Sequence, residues 1–98
     1  MGIKVTVELQ ATAGGREALV AFMGELVGGH GASRKGFRGS MRYEAIENPD
    51  LLIEIADWDS VEDRLVHMRE ATASGIYAPL SGLLAAPPRV TVIQDLGR

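Results

Sequence analysis

The stretch LLIEIADW, Leu51 to Trp58, is apolar at nearly every position, and the turn residues Asn48, Pro49 and Asp50 stand just before it. A short apolar run bounded in this way reads as a strand covered on both faces, because a strand with one wet face would alternate. Whatever this chain folds into must therefore place that strand between two layers. Phe37 to Glu47 precedes the Asn-Pro-Asp turn and reads as its hairpin partner, with proline presetting a turn dihedral.

The rest of the chain supplies the neighbours. Ile3, Val5, Val7 and Leu9 alternate with Lys4, Thr6, Glu8 and Gln10, the period of a strand. From Arg16 the period changes. Leu19, Phe22, Met23 and Leu26 fall at i, i+3, i+4 and i+7, one apolar stripe of a helix, which Gly28, Gly29 and Gly31 then break. Ser60 with Asp63 forms an N-capping pattern, and Val61, Leu65, Met68 and Thr72 lie within a narrow arc of the helix that follows, which Gly75 ends. Alternation returns in the closing segment from Val90, which predicts a last strand reaching Leu96.

Strand, helix, strand, strand, helix, strand is the split βαββαβ order. It predicts an α+β, ferredoxin-like fold of a single domain spanning residues 1–98, with a four-stranded antiparallel sheet and both helices on one face. The other face then needs a cover. Placing Ile3, Val5, Val7 and Leu9 with Leu51, Ile53 and Ile55 on one face leaves more aliphatic surface than a small domain tolerates in water, so a homodimer packed sheet to sheet is expected.

Composition removes several function classes. Hydrophobic residues at 46% and charged residues at 23% describe a folded chain, and the net charge of −3 argues against phosphate-backbone binding, so no nucleic-acid partner is expected. The absence of cysteine excludes disulfides, a thiolate nucleophile and a zinc-cysteine site, and fits a cytoplasmic protein. The stretch MGIKVTVELQ has no basic segment leading into an apolar run, and no later stretch approaches the ~20 apolar residues that span a bilayer, so no membrane association is expected. No phosphate-binding glycine loop, Ser-His-Asp arrangement or set of metal ligands at recognisable spacing is present.

The element order, the glycine turn AGGRE, the segment RKGFRGSMRY, the closing PLSGLLAAPPRVTV and above all IEIADWDSVEDRLVHM resemble the antibiotic biosynthesis monooxygenase superfamily of dimeric α/β-barrel proteins. The resemblance covers essentially the whole chain. It implies a homodimer with one pocket per subunit between helices and sheet. The chemistry it implies ranges over cofactor-independent monooxygenases of aromatic polyketide-type substrates, haem-degrading enzymes, cyclases and isomerases.

Each candidate residue has a plain reading beside a functional one. Trp58 ends a strand and is a natural core aromatic; the resemblance makes it a pocket wall that stacks on a planar substrate and offers its indole N–H. His67 lies beside the apolar arc of its helix, which alone predicts a solvated rim residue, while the resemblance points to a catalytic base, proton shuttle or axial ligand. Glu54 is a carboxylate in the most apolar strand and requires a partner, Arg42, Arg64, Tyr43 or a substrate group. A two-residue hairpin loop would place Tyr43 directly across from it, whereas a slip of one residue would not. Phe22 is core on its helix and, by resemblance, also a wall residue. His30, in the glycine-rich loop, reads as surface. Haem-degrading relatives carry Asn on the first strand where this chain has Glu8 or Val7.

The expected function is thus a small monooxygenase without cofactor, acting with molecular oxygen on an aromatic or quinone-forming compound. His67 and Trp58 are its catalytic candidates, and Phe22, Tyr43, Glu54 and Arg64 its substrate-binding ones. Haem binding through His67 and a non-catalytic small-molecule-binding dimer are the alternatives.

Overall fold

The computed structural model describes residues 2–26 and 34–97. It contains β1 (Ile3–Gln10), α1 (Arg16–Leu26), β2 (Phe37–Glu44), β3 (Leu51–Trp58), α2 (Val61–Ser74), a 3₁₀ turn (Ala78–Gly82) and β4 (Arg89–Ile93). The four strands form one antiparallel sheet in the order β2-β3-β1-β4, the expected α+β ferredoxin-like arrangement. β2 and β4 end earlier than alternation alone suggests. His30 and the glycines after α1 lie outside the described residues.

The register sorts the side chains of the sheet differently from the expected grouping. Ile3, Val5, Val7 and Leu9 pair with Trp58, Ala56, Glu54 and Leu52, so these eight residues share the helix-covered face. Leu51, Ile53 and Ile55 point to the opposite, open face, beside Lys4, Thr6 and Glu8. The grouping fails because strand pairing, not hydrophobicity, decides which residues of two strands share a face. Both faces of β3 are apolar, as its sequence implies, but β1 contributes its aliphatic side to the helices alone.

α1 presents Leu19, Met23 and Leu26 to the sheet, as its stripe predicts. α2 does not follow its predicted arc. Val61 and Leu65 are 45% and 44% exposed, whereas His67 and Ala71 are buried, with Arg64 and Met68 partly buried beside them. The inward stripe is therefore Arg64, His67, Met68 and Ala71, again i, i+3, i+4 and i+7, of which Met68 alone belongs to the expected arc, the others being polar or small residues that hydrophobicity does not mark. Its ends are as read from sequence: Ser60 Oγ accepts from the Asp63 N–H at 3.1 Å, and Gly75 closes the helix in a left-handed conformation at φ 75°.

Two apolar clusters hold the layers together. Leu9, Ala11, Leu19, Met23, Leu26 and Leu52 form one, and Ile3, Val5, Ala56 and Trp58 the other, with Val7 packed against both. The space between the clusters is where the core gives way to a cavity.

Candidate functional site

A cavity of about 310 Å³ opens between the helices and the sheet, with an apolar wall drawn from both clusters. Val5, Val7, Ala56, Trp58 and Val90 form its sheet side, Met23 and Leu26 come from α1, and Arg64, His67 and Met68 from α2. Tyr77 and Leu80 close it from the segment after α2, which is tied down where the Thr12 N–H donates to the Leu83 carbonyl and the Ala85 N–H to that of Gln10. Its size and apolar lining with few polar groups are those of a small-molecule site.

Trp58 is 4% exposed and stands between two rings. Phe37 meets it edge-on, with centroids 5.2 Å apart and planes at 60°, and the imidazole of His67 lies at the same 5.2 Å, tilted by 34°. The Phe37 contact depends on a bulge. Phe37 pairs with Trp58 and Gly39 with Asp57, leaving Arg38 as the extra residue, which turns Phe37 toward the helices. Gly39 adopts φ 119°, a conformation that side chains disfavour.

His67 is 8% exposed, which overturns the rim position read from its helix periodicity. Ala71, one turn further along α2, is fully buried, and His67 shares its inward face. Its Nε2 lies 3.4 Å from the Tyr77 hydroxyl, while Nδ1 is buried with no hydrogen-bond partner among the described residues. Burial holds the imidazole pKa below its ordinary value; Arg34 and Arg64 act in the same direction and Glu70 against it. The ring is thus a neutral base near neutral pH.

Glu54 is also buried and also lines the cavity. Arg42, not Tyr43, stands across from it, and the Arg42 Nη1 lies 3.8 Å from Glu54 Oε2. The expected Tyr43 pairing fails because the connection is longer than two residues. The Leu51 N–H donates to the Asn48 carbonyl and the Asp50 N–H to its side chain, and this turn moves the register by one. Burial raises the carboxyl pKa of Glu54, with Arg42 opposing. Burial likewise raises that of Tyr77, followed by the nearby Glu54, against Arg64 and Arg34.

The structure therefore brings together Trp58, His67, Glu54 and Arg64 of the predicted residues. Tyr43 is 48% exposed and borders a separate surface groove beside α1, and Phe22 packs against the Leu9 and Leu19 cluster rather than lining the cavity. Tyr77 and Phe37 escaped sequence reading. Tyr77 sits in an irregular segment with no periodicity to orient it, and Phe37 is aimed by a bulge whose one sequence sign is Gly39. Among the described residues no three His, Asp or Glu side chains converge as metal ligands, and no helix is long and apolar enough to cross a membrane.

The fold is shared with solved structures from several organisms. Rv0793 from Mycobacterium tuberculosis superimposes with a TM-score of 0.83 at 20% identity, over 100% of this chain and 98% of that one. A protein from Bordetella bronchiseptica, provisionally named an antibiotic biosynthesis monooxygenase, gives 0.83 at 20% identity over 97% of each chain. Another of that provisional name, from Chloroflexus aurantiacus J-10-fl, gives 0.74 at 22% identity over 100% of this chain and 97% of its own. At these identities the likeness is one of fold. No family model and no curated protein matches the chain.

Proposed function

We propose that this chain is a small monooxygenase of the antibiotic biosynthesis type, acting without cofactor on an aromatic or quinone-forming compound. The observation that carries the reading is the buried, neutral imidazole of His67 beside Trp58 at the wall of an apolar cavity. A planar substrate stacks against the indole, His67 takes an activated proton, and the resulting carbanion is itself the electron donor to oxygen. For a methylene carbon flanked by aromatic rings, one oxygen atom enters as a carbonyl and the other leaves as water. The two C–H bonds supply the electrons, so no external reductant enters the balance. Arg64 provides positive charge for the developing oxyanion.

Haem, which the resemblance admits, does not fit these residues. The cavity of about 310 Å³ is at the small end for ligand sites, and neither nitrogen of His67 stands open to it as an axial ligand, since Nε2 faces the Tyr77 hydroxyl and Nδ1 is buried. Of Val7 and Glu8, the two β1 residues that could match the haem-degrading pattern, Val7 is the one that lines the cavity, and it lacks the amide. No step is therefore routed through haem.

The same reading includes a homodimer. The open face carries Leu51, Ile53 and Ile55 with Met41, Tyr43 and Ile93, of which the last three are 61%, 48% and 41% exposed. A second copy packed on this face removes them from water.

Oxygen uptake with anthrone and with hydroquinone tests the activity. Turnover that falls about 100-fold in His67→Ala supports the assignment. Activity unchanged in both His67→Ala and Trp58→Phe overturns it, and binding without turnover leaves a carrier.

A further inference from the structure

The Tyr77 hydroxyl lies within reach of two groups on α2, His67 Nε2 at 3.4 Å and Met68 Sδ at 3.8 Å. A phenol has a single proton to donate, and a neutral imidazole carries a single N–H. If the hydroxyl donated to Nε2, the imidazole proton would sit on Nδ1, where it would be a buried N–H with no acceptor among the described residues. Desolvated donors of that kind are rare in folded proteins. If instead the hydroxyl donates to Met68 Sδ, its oxygen accepts the Nε2–H, and every proton in the group has an acceptor.

We infer that Tyr77 is a positioning residue that fixes His67 as its Nε2–H tautomer, leaving the lone pair on the buried Nδ1. Trp58 holds the plane of the same ring from the other side, at 5.2 Å between centroids. Nδ1 is closed off from solvent and cavity alike, so bulk water does not compete for its lone pair. Charged groups near the pair come from each neighbouring segment: Arg34 before β2, Glu54 on β3, and Arg64 and Glu70 on α2. Burial and the two arginines keep the imidazole uncharged near neutrality, the condition under which a tautomer is defined.

The use of this ring as a base rests on the monooxygenase reading, but the tautomer is measured without any substrate. Long-range nitrogen–proton correlation spectra of ¹⁵N-labelled protein, taken at mildly alkaline pH, separate protonated from bare ring nitrogens. The His67 signals are assigned by their loss in His67→Gln. The native protein is expected to show its bare nitrogen at Nδ1. In Met68→Leu the hydroxyl loses its sulfur acceptor and the bare signal shifts toward Nε2, and in Tyr77→Phe the shifts of the two nitrogens move toward the average of an unbiased ring. A bare Nε2 in the native protein, or a Tyr77→Phe spectrum identical to the native one, overturns the inference. Should Tyr77→Phe fail to fold, the native and Met68→Leu spectra decide it.

Discussion

Arg42 and Glu54 face each other across the β2–β3 ladder on the helix-covered side of the sheet, with Nη1 3.8 Å from Oε2. Glu54 is buried and its Oε2 has no hydrogen-bond partner among the described residues, so the arginine acts as its counter-charge. Replacing Arg42 by Met is expected to destabilise the protein by about 1–2 kcal/mol, less than a fully buried pair because the arginine end is partly exposed. Glu54→Gln in the same chain should recover much of the loss. Urea unfolding followed by Trp58 fluorescence measures both.

Glu54 also gives a pH dependence of definite sign. Its folded pKa is raised, so between the unfolded carboxylate value, ~4.3, and the folded one the native state holds the extra proton. Stability relative to Glu54→Gln should therefore be greatest below that range and decline as pH rises through the folded pKa. A difference that grows with pH instead would remove the burial argument.

His67 works in the opposite direction. Its folded pKa is lowered, so the unfolded chain takes up the proton first as pH falls below ~6.5. Measured against His67→Gln, native stability should be level above that value and fall as pH drops through the range down to the folded pKa. Parallel curves for the two proteins would mean that the imidazole is solvated.

Gly39 sets the bulge that turns Phe37 onto Trp58, at φ 119° with open space where a Cβ would stand. Gly39→Ala therefore costs backbone strain without a clash, about 1–3 kcal/mol. If the strand relieves that strain by losing the bulge, Phe37 leaves the cavity and the near-ultraviolet circular dichroism of Trp58 weakens.

The two faces of the sheet separate folding from association. Val5 is 2% exposed beneath the helices, whereas Ile53 points to the open face. Val5→Asp should unfold the chain. Ile53→Asp should instead yield a folded monomer by light scattering if two copies pack on that face. A native protein that is monomeric at micromolar concentration would refute the dimer.

The order of elements is legible in the amino-acid sequence alone, because hydrophobic period is local: two for Ile3 to Leu9, near 3.6 from Leu19 to Leu26, and an unbroken run through β3. Ser60 and Gly75 mark the ends of α2 for the same reason, since capping is a contact between near neighbours in the chain. Glu54 stands out as a carboxylate in an apolar strand, whereas Trp58 and His67 draw notice through the family resemblance and Arg64 as a charge that could meet Glu54. What they meet is decided elsewhere. The Asn48 turn sets the register that gives Glu54 to Arg42, and the bulge at Arg38 brings Phe37 to Trp58. The packing of α2 buries His67 and Ala71 and leaves Val61 and Leu65 exposed. Each of these depends on pairing between segments far apart in sequence, and at α2 the buried positions carry the groups of the candidate site, so hydrophobicity marks the wrong side of the helix there.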